Sequence, residues 1–169
     1  GGASVVNMCA SESHAGVILP QLLDILEDDK EHTDCESVRY CLLAVARGLN
    51  HHRLRTVLIA QRPQLLPTLL HFGTTSKRAT VSRTAVRAVA LLAKSPIPLS
   101  VHDDTAIALL YRHLETACGD TRIELWWGLS MFCRDAQTRM TTLRHLATRR
   151  VLLATCRELN IPFLNKIYT

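Results

Sequence analysis

The sequence predicts an all-α fold of helical units stacked one on another. Three observations predict it. Apolar residues recur three and four apart along most of the 169 residues, the period of a helix with one buried face. Val and Ile follow the same spacing and do not alternate as in a strand. A similar apolar pattern also returns at intervals of forty-odd residues, as it does when one helical unit is repeated.

The elements follow in order. "LPQLLDIL" (Leu19–Leu26) is amphipathic. "TDCE" (Thr33–Glu36) has the form of a capping box, with Thr33 capping and Glu36 reaching back. It would open "SVRYCLLAVARGL", with Gly48 and Asn50 as stop signals. "HHRLRTVLIAQ" is a short helix, and Pro63 starts the next, "PQLLPTLLHF", ended by Gly73. "TVSRTAVRAVALLAK" stops at "SPIPLS", and "DDTAIALLYRHLETA" at Gly119. "TRIE" (Thr121–Glu124) forms a second capping box, opening the helix that holds both tryptophans. "AQTRMTTLRHLATRR" and "VLLATCREL" precede Pro162. Leu22, Leu42, Leu69, Val89, Leu110 and Leu129 are expected in one continuous core.

"LPQLL" at Leu19 and "LPTLL" at Leu66 lie 47 residues apart, and the pattern recurs at Ile107 and Leu152, 41 and 45 residues further on. This period belongs to armadillo and HEAT repeats. "RTVLIAQRPQLLPTLLHF…TVSRTAVRAVALLAKS" resembles one armadillo unit, with a short first helix, a second near Pro and a longer third. "QTRMTTLRHLATRRVLLATCREL" resembles the first two helices of another. The resemblance implies a right-handed α-solenoid of about three armadillo/HEAT-like repeats over residues 16–160. "SPIPLS" departs from it, because a first helix is missing there. Residues 1–15 are expected to be a lead-in with a cloning scar, "GGAS", and 161–169 a tail, the whole a fragment of a longer protein.

In each third helix the core face can be set against its opposite. Leu125, Leu129, Phe132 and Cys133 cluster with Trp126 at their edge, which leaves Trp127 and Met131 opposite. Ala85, Val86, Val89, Leu92 and Ala93 leave Arg83, Arg87 and Leu91 opposite. Val38, Leu42, Val45 and Leu49 leave Glu36, Tyr40 and Arg47 opposite. Superposing the faces puts Tyr40, Arg87 and Trp127 in one column. In armadillo proteins that face lines a concave groove, and "WGLSMF" resembles the family's Trp-Ala-Leu-Ser-Asn-Leu segment, in which Trp stacks and Asn holds a peptide backbone. Trp127 and Ser130 match. Met131 stands where the Asn would be, and Ala44 and Leu91 hold the equivalent places, so nuclear-import style binding of a basic peptide is not expected. The expected partner-binding groove is Tyr40, Arg47, Arg83, Arg87, Leu91, Trp127 and Met131.

Charge narrows the partner. Residues 1–36 hold eight acids and one base, whereas 37–169 hold seven acids and nineteen bases. No acid lies between Glu36 and Asp103, and Arg outnumbers Lys sixteen to four. Arg suits planar contacts to carboxylate and phosphate. A scaffold binding another protein or an acidic peptide is the favoured function, and RNA binding through the Arg-rich surface the alternative. Self-association through the same face is a further option. The acidic loop "EDDKEHTDCE" (Glu27–Glu36) is expected to lie near the basic surface or to help bind a basic partner. Either way it would tune binding while leaving the melting temperature nearly unchanged.

An enzyme is not expected. His102, Asp103 and Asp104 form an acid–imidazole cluster, but they sit before a helix as caps with no nucleophile beside them. No glycine-rich phosphate loop is present. "HTDC" and "HLETAC" lack the second ligand pair of a zinc site, and no cofactor is expected. Six cysteines without a CxxC, mostly in apolar helical patterns, fit a reducing intracellular compartment. No apolar run reaches membrane-spanning length.

Overall fold

The computed structural model of the protein describes residues 2–150 together with Leu152 and Ala154. Among these, all regular structure is helical. The helices are α1 (Gly2–Met8), α2 (Glu12–Asp28), α3 (Glu36–Gly48), α4 (His52–Gln61), α5 (Leu65–Thr75), α6 (Ala79–Leu92), α7 (Asp103–Leu114), α8 (Gly119–Phe132) and α9 (Ala136–Ala147). The "SPIPLS" stretch between α6 and α7 is non-helical. Most of "VLLATCREL" lies outside the described residues, although Leu152 is buried.

Two successions of contacts organise the chain. α1 packs on α3, α3 on α6 and α6 on α8, while α2 packs on α5 and α5 on α7. Helices of the two successions meet at α2–α3, α5–α6 and α7–α8, and α9 closes on α7 and α8. The buried apolar side chains form one cluster that includes Leu22, Leu42, Leu69, Val89, Leu110 and Leu129. Close approach between α6 and α8 is made possible by Gly128. A Cβ there would meet Cβ of Ala90 at 2.9 Å and its Cα at 3.0 Å, which is inside normal contact distance.

The lead-in expected at the N-terminus is instead part of the fold. α1 lies against α3, with Gly2 against the Tyr40 ring so closely that a side chain would not fit. Cys9 and Ala15 are fully buried. "GASVVNM" carries too short an apolar pattern to declare a helix by itself, so packing on α3 accounts for it.

Neither expected capping box forms. α3 begins at Glu36 with Cys35 as N-cap, and α8 begins at Gly119 with Cys118 as N-cap, both without a side-chain cap bond. Gly119 has φ +58°, a conformation that glycine adopts without steric cost. The two glutamates that would have reached back are taken by arginines: Glu36 by Arg39 and Arg78, Glu124 by Arg87. Glu36 is the first residue of α3 and Glu124 the sixth of α8, so neither stands at the third helical position from which a box glutamate reaches back. A true cap stands at α9, where one Asp135 carboxylate oxygen accepts the amides of Gln137 (2.8 Å) and Thr138 (3.1 Å).

The acidic loop is likewise structural at one residue. Asp34 Oδ1 accepts the Ser76 hydroxyl at 2.7 Å and the amides of Lys77 and Arg78 at 2.9 and 3.2 Å. The Ser76 bond, followed by those from the two amides, holds the Asp34 carboxyl below its ordinary value. The loop thus fastens the entry to α6 across more than forty residues of sequence. Replacing Asp34 with Ala is expected to lower the melting temperature, while Asp28→Ala, at an exposed position, leaves it unchanged. Parallel calorimetric melts of the two variants check this, and equal melting temperatures would return Asp34 to the solvated surface.

Arg55 on α4 is a second tie. It is only 6% exposed. Its Nε donates to Ser95 Oγ at 2.6 Å and its Nη1 to the Leu49 carbonyl at 2.7 Å. Both acceptors lie just past the C-terminal ends of helices, α6 and α3, where backbone carbonyls concentrate negative potential. Burial pushes its pKa down, yet a guanidinium remains charged at any ordinary pH.

Candidate functional site

The expected column falls on α3, α6 and α8, which pack in succession, so Tyr40, Arg87 and Trp127 sit on neighbouring helices. The tryptophan pair divides by the 100° between neighbours on a helix. Trp126 is fully buried, whereas Trp127 is 37% exposed. Their helix packs against α6, α7 and α9, and Trp126 turns toward Tyr111 in an edge-to-face contact.

The other members differ in their surroundings. Tyr40 is half-buried beneath α1, and the Arg39 guanidinium lies 4.4 Å from its ring centroid. Arg47 is exposed in the last turn of α3, where a cation suits the helix dipole. Arg83 is exposed on α6. Arg87 donates through Nε to Glu124 Oε2 at 3.0 Å, so it faces a carboxylate one turn before Trp127. Among the described residues it makes no cation–π contact with the indole. Met131 is half-buried against the core.

Leu91 must be removed from the groove. It is 1% exposed, because α6 is contacted by α3, α5, α7 and α8 and has little open face left. Ala44, its counterpart on α3, is fully buried too. Of the three equivalent positions Ala44 and Leu91 are therefore closed into the packing, whereas Met131 is half-buried.

The acid–imidazole cluster is divided among separate partners. Asp103 turns inward to the Ser100 amide (3.0 Å) and to Arg134 (2.8 Å), while Asp104 faces His145 (3.1 Å). These contacts join α7 to the end of α8 and to α9. Among the described residues no group of three His, Cys, Asp or Glu side chains is placed to hold a metal ion. Cys9, Cys35, Cys41, Cys118 and Cys133 are free thiols. No helix among the described residues is long and apolar enough to cross a membrane.

His113, near the end of α7, enters the sequence reading only through "HLETAC", a zinc-ligand stretch without a second pair, and its surroundings appear only in the fold. Its Nε2 lies 3.3 Å from Ser82 Oγ, whose hydroxyl donates to the Gly73 carbonyl at 2.9 Å. Burial, and then the positive charges of Arg112 and Arg83, hold its pKa below the usual 6.5. Only the spacing of Arg112 and His113 along one helix was visible in sequence; Arg83 joins them from 30 residues away.

That shift has a measurable consequence. Between the lowered folded value and 6.5, the unfolded chain binds a proton that the folded chain does not. Stability therefore rises with pH through this window and falls as the solution is acidified below about 6.5. Asp34, Glu36 and Asp135 have lowered values instead, so their contributions are lost only in more acidic solution. Urea unfolding between pH 7 and 5 should show the loss, reduced in His113→Gln. An identical pH profile in that variant would remove His113 as the cause.

Compared with known protein families, with curated proteins and with solved structures, the chain matches none.

Proposed function

We propose that the chain is a non-enzymatic interaction module, an armadillo-like α-solenoid of about three units that binds another protein across the α3–α6–α8 face. Support for the repeat comes from the two successions of helices and from the 47-residue step between "LPQLL" and "LPTLL". The observation that carries the functional reading is Trp127. A tryptophan left partly in solvent beside a fully buried one is a rigid, large apolar surface, the residue type most enriched at interface anchors. The Arg87–Glu124 pair beside it supplies a polar rim of both signs.

The RNA reading is weaker. Arg39, Arg62, Arg78, Arg87, Arg134 and Arg149 each lie within ion-pair distance of an aspartate or glutamate. Among the described residues, six of the chain's sixteen arginines are thus paired with carboxylates, which breaks the basic surface with neutral pairs where polyanion binding favours a continuous positive one. The free thiols accord with a reducing intracellular compartment.

Affinity capture with the 169-residue chain as bait, in the presence of nuclease, tests the proposal. Proteins retained by the wild type should be lost from Trp127→Ala, with affinity reduced about thirtyfold, equivalent to roughly 2 kcal/mol. Capture that survives this substitution but disappears with nuclease would favour RNA instead.

A further inference from the structure

Beside the first turn of α6 the surface sinks into two adjoining cavities of about 480 and 180 Å³. Arg83, His113 and Thr116 line both. Ser76, Ser82, Arg112 and Glu115 are among the others that line the larger, and Cys118 and Thr121, at the start of α8, among those that line the smaller. Three cationic or protonatable side chains and several hydroxyls therefore converge from α6, the end of α7 and the beginning of α8.

The charge here is not compensated as it is elsewhere. Among the described residues neither Arg83 nor Arg112 lies within ion-pair distance of a carboxylate; Arg83 Nε donates only to the Ala79 carbonyl of its own helix. Glu115 lines the larger cavity, but its carboxylate lies 3.4 Å from Arg149 Nε. The α8 N-terminus has no side-chain cap, so its first amides add positive potential. The opposing end of α7 is partly silenced, because the amides of Thr116 and Ala117 both bond the His113 carbonyl.

We propose that this cleft binds the phosphoryl group of a phosphorylated side chain on a protein partner, with Arg83 and Arg112 as its charge partners and Ser82, Thr116 and Thr121 as hydroxyl neighbours. A phosphoryl group carries about −1.5 to −2 charge and three acceptor oxygens. It can take hydrogen bonds from two guanidiniums at once, whereas one carboxylate would leave most of the donors unused. The site is a cup and not a track. Its flanks are already neutral, with Arg78 on Glu36 and Arg87 on Glu124, Glu115 on its wall is paired with Arg149, and Asp120 stands in the first turn of α8. A nucleic-acid backbone, which presents a phosphate at every nucleotide, would meet those carboxylates on leaving the cup. Arg83 is one turn from Arg87, whose partner Glu124 is one turn from Trp127, so one partner segment can span the cup and the indole.

The inference deepens the protein-binding reading and rests on it for the source of the phosphoryl group. The test is a nuclear magnetic resonance titration of the 169-residue chain at constant ionic strength. The ligands are a capped Gly-phosphoserine-Gly peptide, its unphosphorylated form, inorganic phosphate and a uridine octamer. The phosphopeptide should shift the signals of His113, Thr116 and Thr121, and the unphosphorylated peptide should not. Arg83→Gln/Arg112→Gln should weaken binding tenfold or more, with Arg112→Gln alone as the milder variant should the pair fail to fold. Arg53→Gln, at an exposed position on α4, should have no effect. Trp127→Ala should bind the peptide normally, which separates failure of the cup from failure of the Trp127 face. No response to the phosphopeptide, or an equal loss in Arg53→Gln, overturns the proposal. Tighter binding of inorganic phosphate would make this a free-anion site, and tighter binding of the octamer, sensitive to the same arginines, a nucleic-acid site.

Discussion

Val89→Asp is expected to abolish folding. Val89 is fully buried in α6, the helix that touches α3, α5, α7 and α8. Each of those neighbours presents apolar side chains to the common core. A carboxylate at this position would be stripped of water with no cation to receive it. It would either remain charged at a cost of several kcal/mol or take up a proton and leave a polar group without partners. Either cost is comparable to the whole stability of a domain, about 5–15 kcal/mol. Circular dichroism of the variant should show little helical signal and no cooperative melt. A melt within a few degrees of the wild type would mean that α6 is not the centre of the packing.

The second large effect separates two adjacent residues. Trp126→Ala is expected to destabilise the chain by about 3–5 kcal/mol. The indole is fully buried, and its ring centroid lies 6.2 Å from that of Tyr111 at an interplanar angle of 83°. Tyr111 is buried as well, donates its hydroxyl to the Thr142 carbonyl at 3.0 Å and carries the Arg149 guanidinium over its ring at 5.4 Å. The cavity left by Trp126 would therefore loosen the tie from α7 to α9 as well as the contact with α8. Trp127→Ala removes a side chain that is 37% exposed and should cost clearly less stability than Trp126→Ala, because less apolar surface leaves the core. Urea unfolding of both variants measures the difference, and iodide quenching should reach one indole far more readily than the other. Equal destabilisation would place Trp127 in the packing and withdraw it as an anchor.

Helix positions and the core were legible in the sequence because they depend on spacing along one element. Val38, Leu42 and Val45, or Leu125 and Leu129, share a face whatever lies opposite, and that face is buried in each helix. The same angular reasoning separated Trp126 from Trp127. It failed for Leu91, since an outward position on an isolated helix says nothing about how many neighbours that helix will have. It failed also for α1, whose short apolar pattern acquires meaning only against α3.

The sequence by itself determined the all-helical character, the non-helical stretch at "SPIPLS" and the residues that face the common core, because a 3.6-residue period and helix-breaking residues are local physics. Tertiary structure alone decided where the charges went. Glu36 and Glu124 have the right spacing for capping boxes, but α3 begins at Glu36 and α8 at Gly119, so neither glutamate stands where a box glutamate reaches back, and Arg78 and Arg87 arrive from 37 or more residues away to pair with them. Asp34 reads as one more acid in a solvated loop, and it becomes the fastening of α6 because Ser76, Lys77 and Arg78 are folded against it. Arg83 lies on α6, whereas Arg112 and His113 are neighbours on α7, and the three carry no common motif. They meet because α6 and α7 pack side by side, and two arginines outside any ion pair can be recognised only after the carboxylates of the described residues have been assigned to their partners.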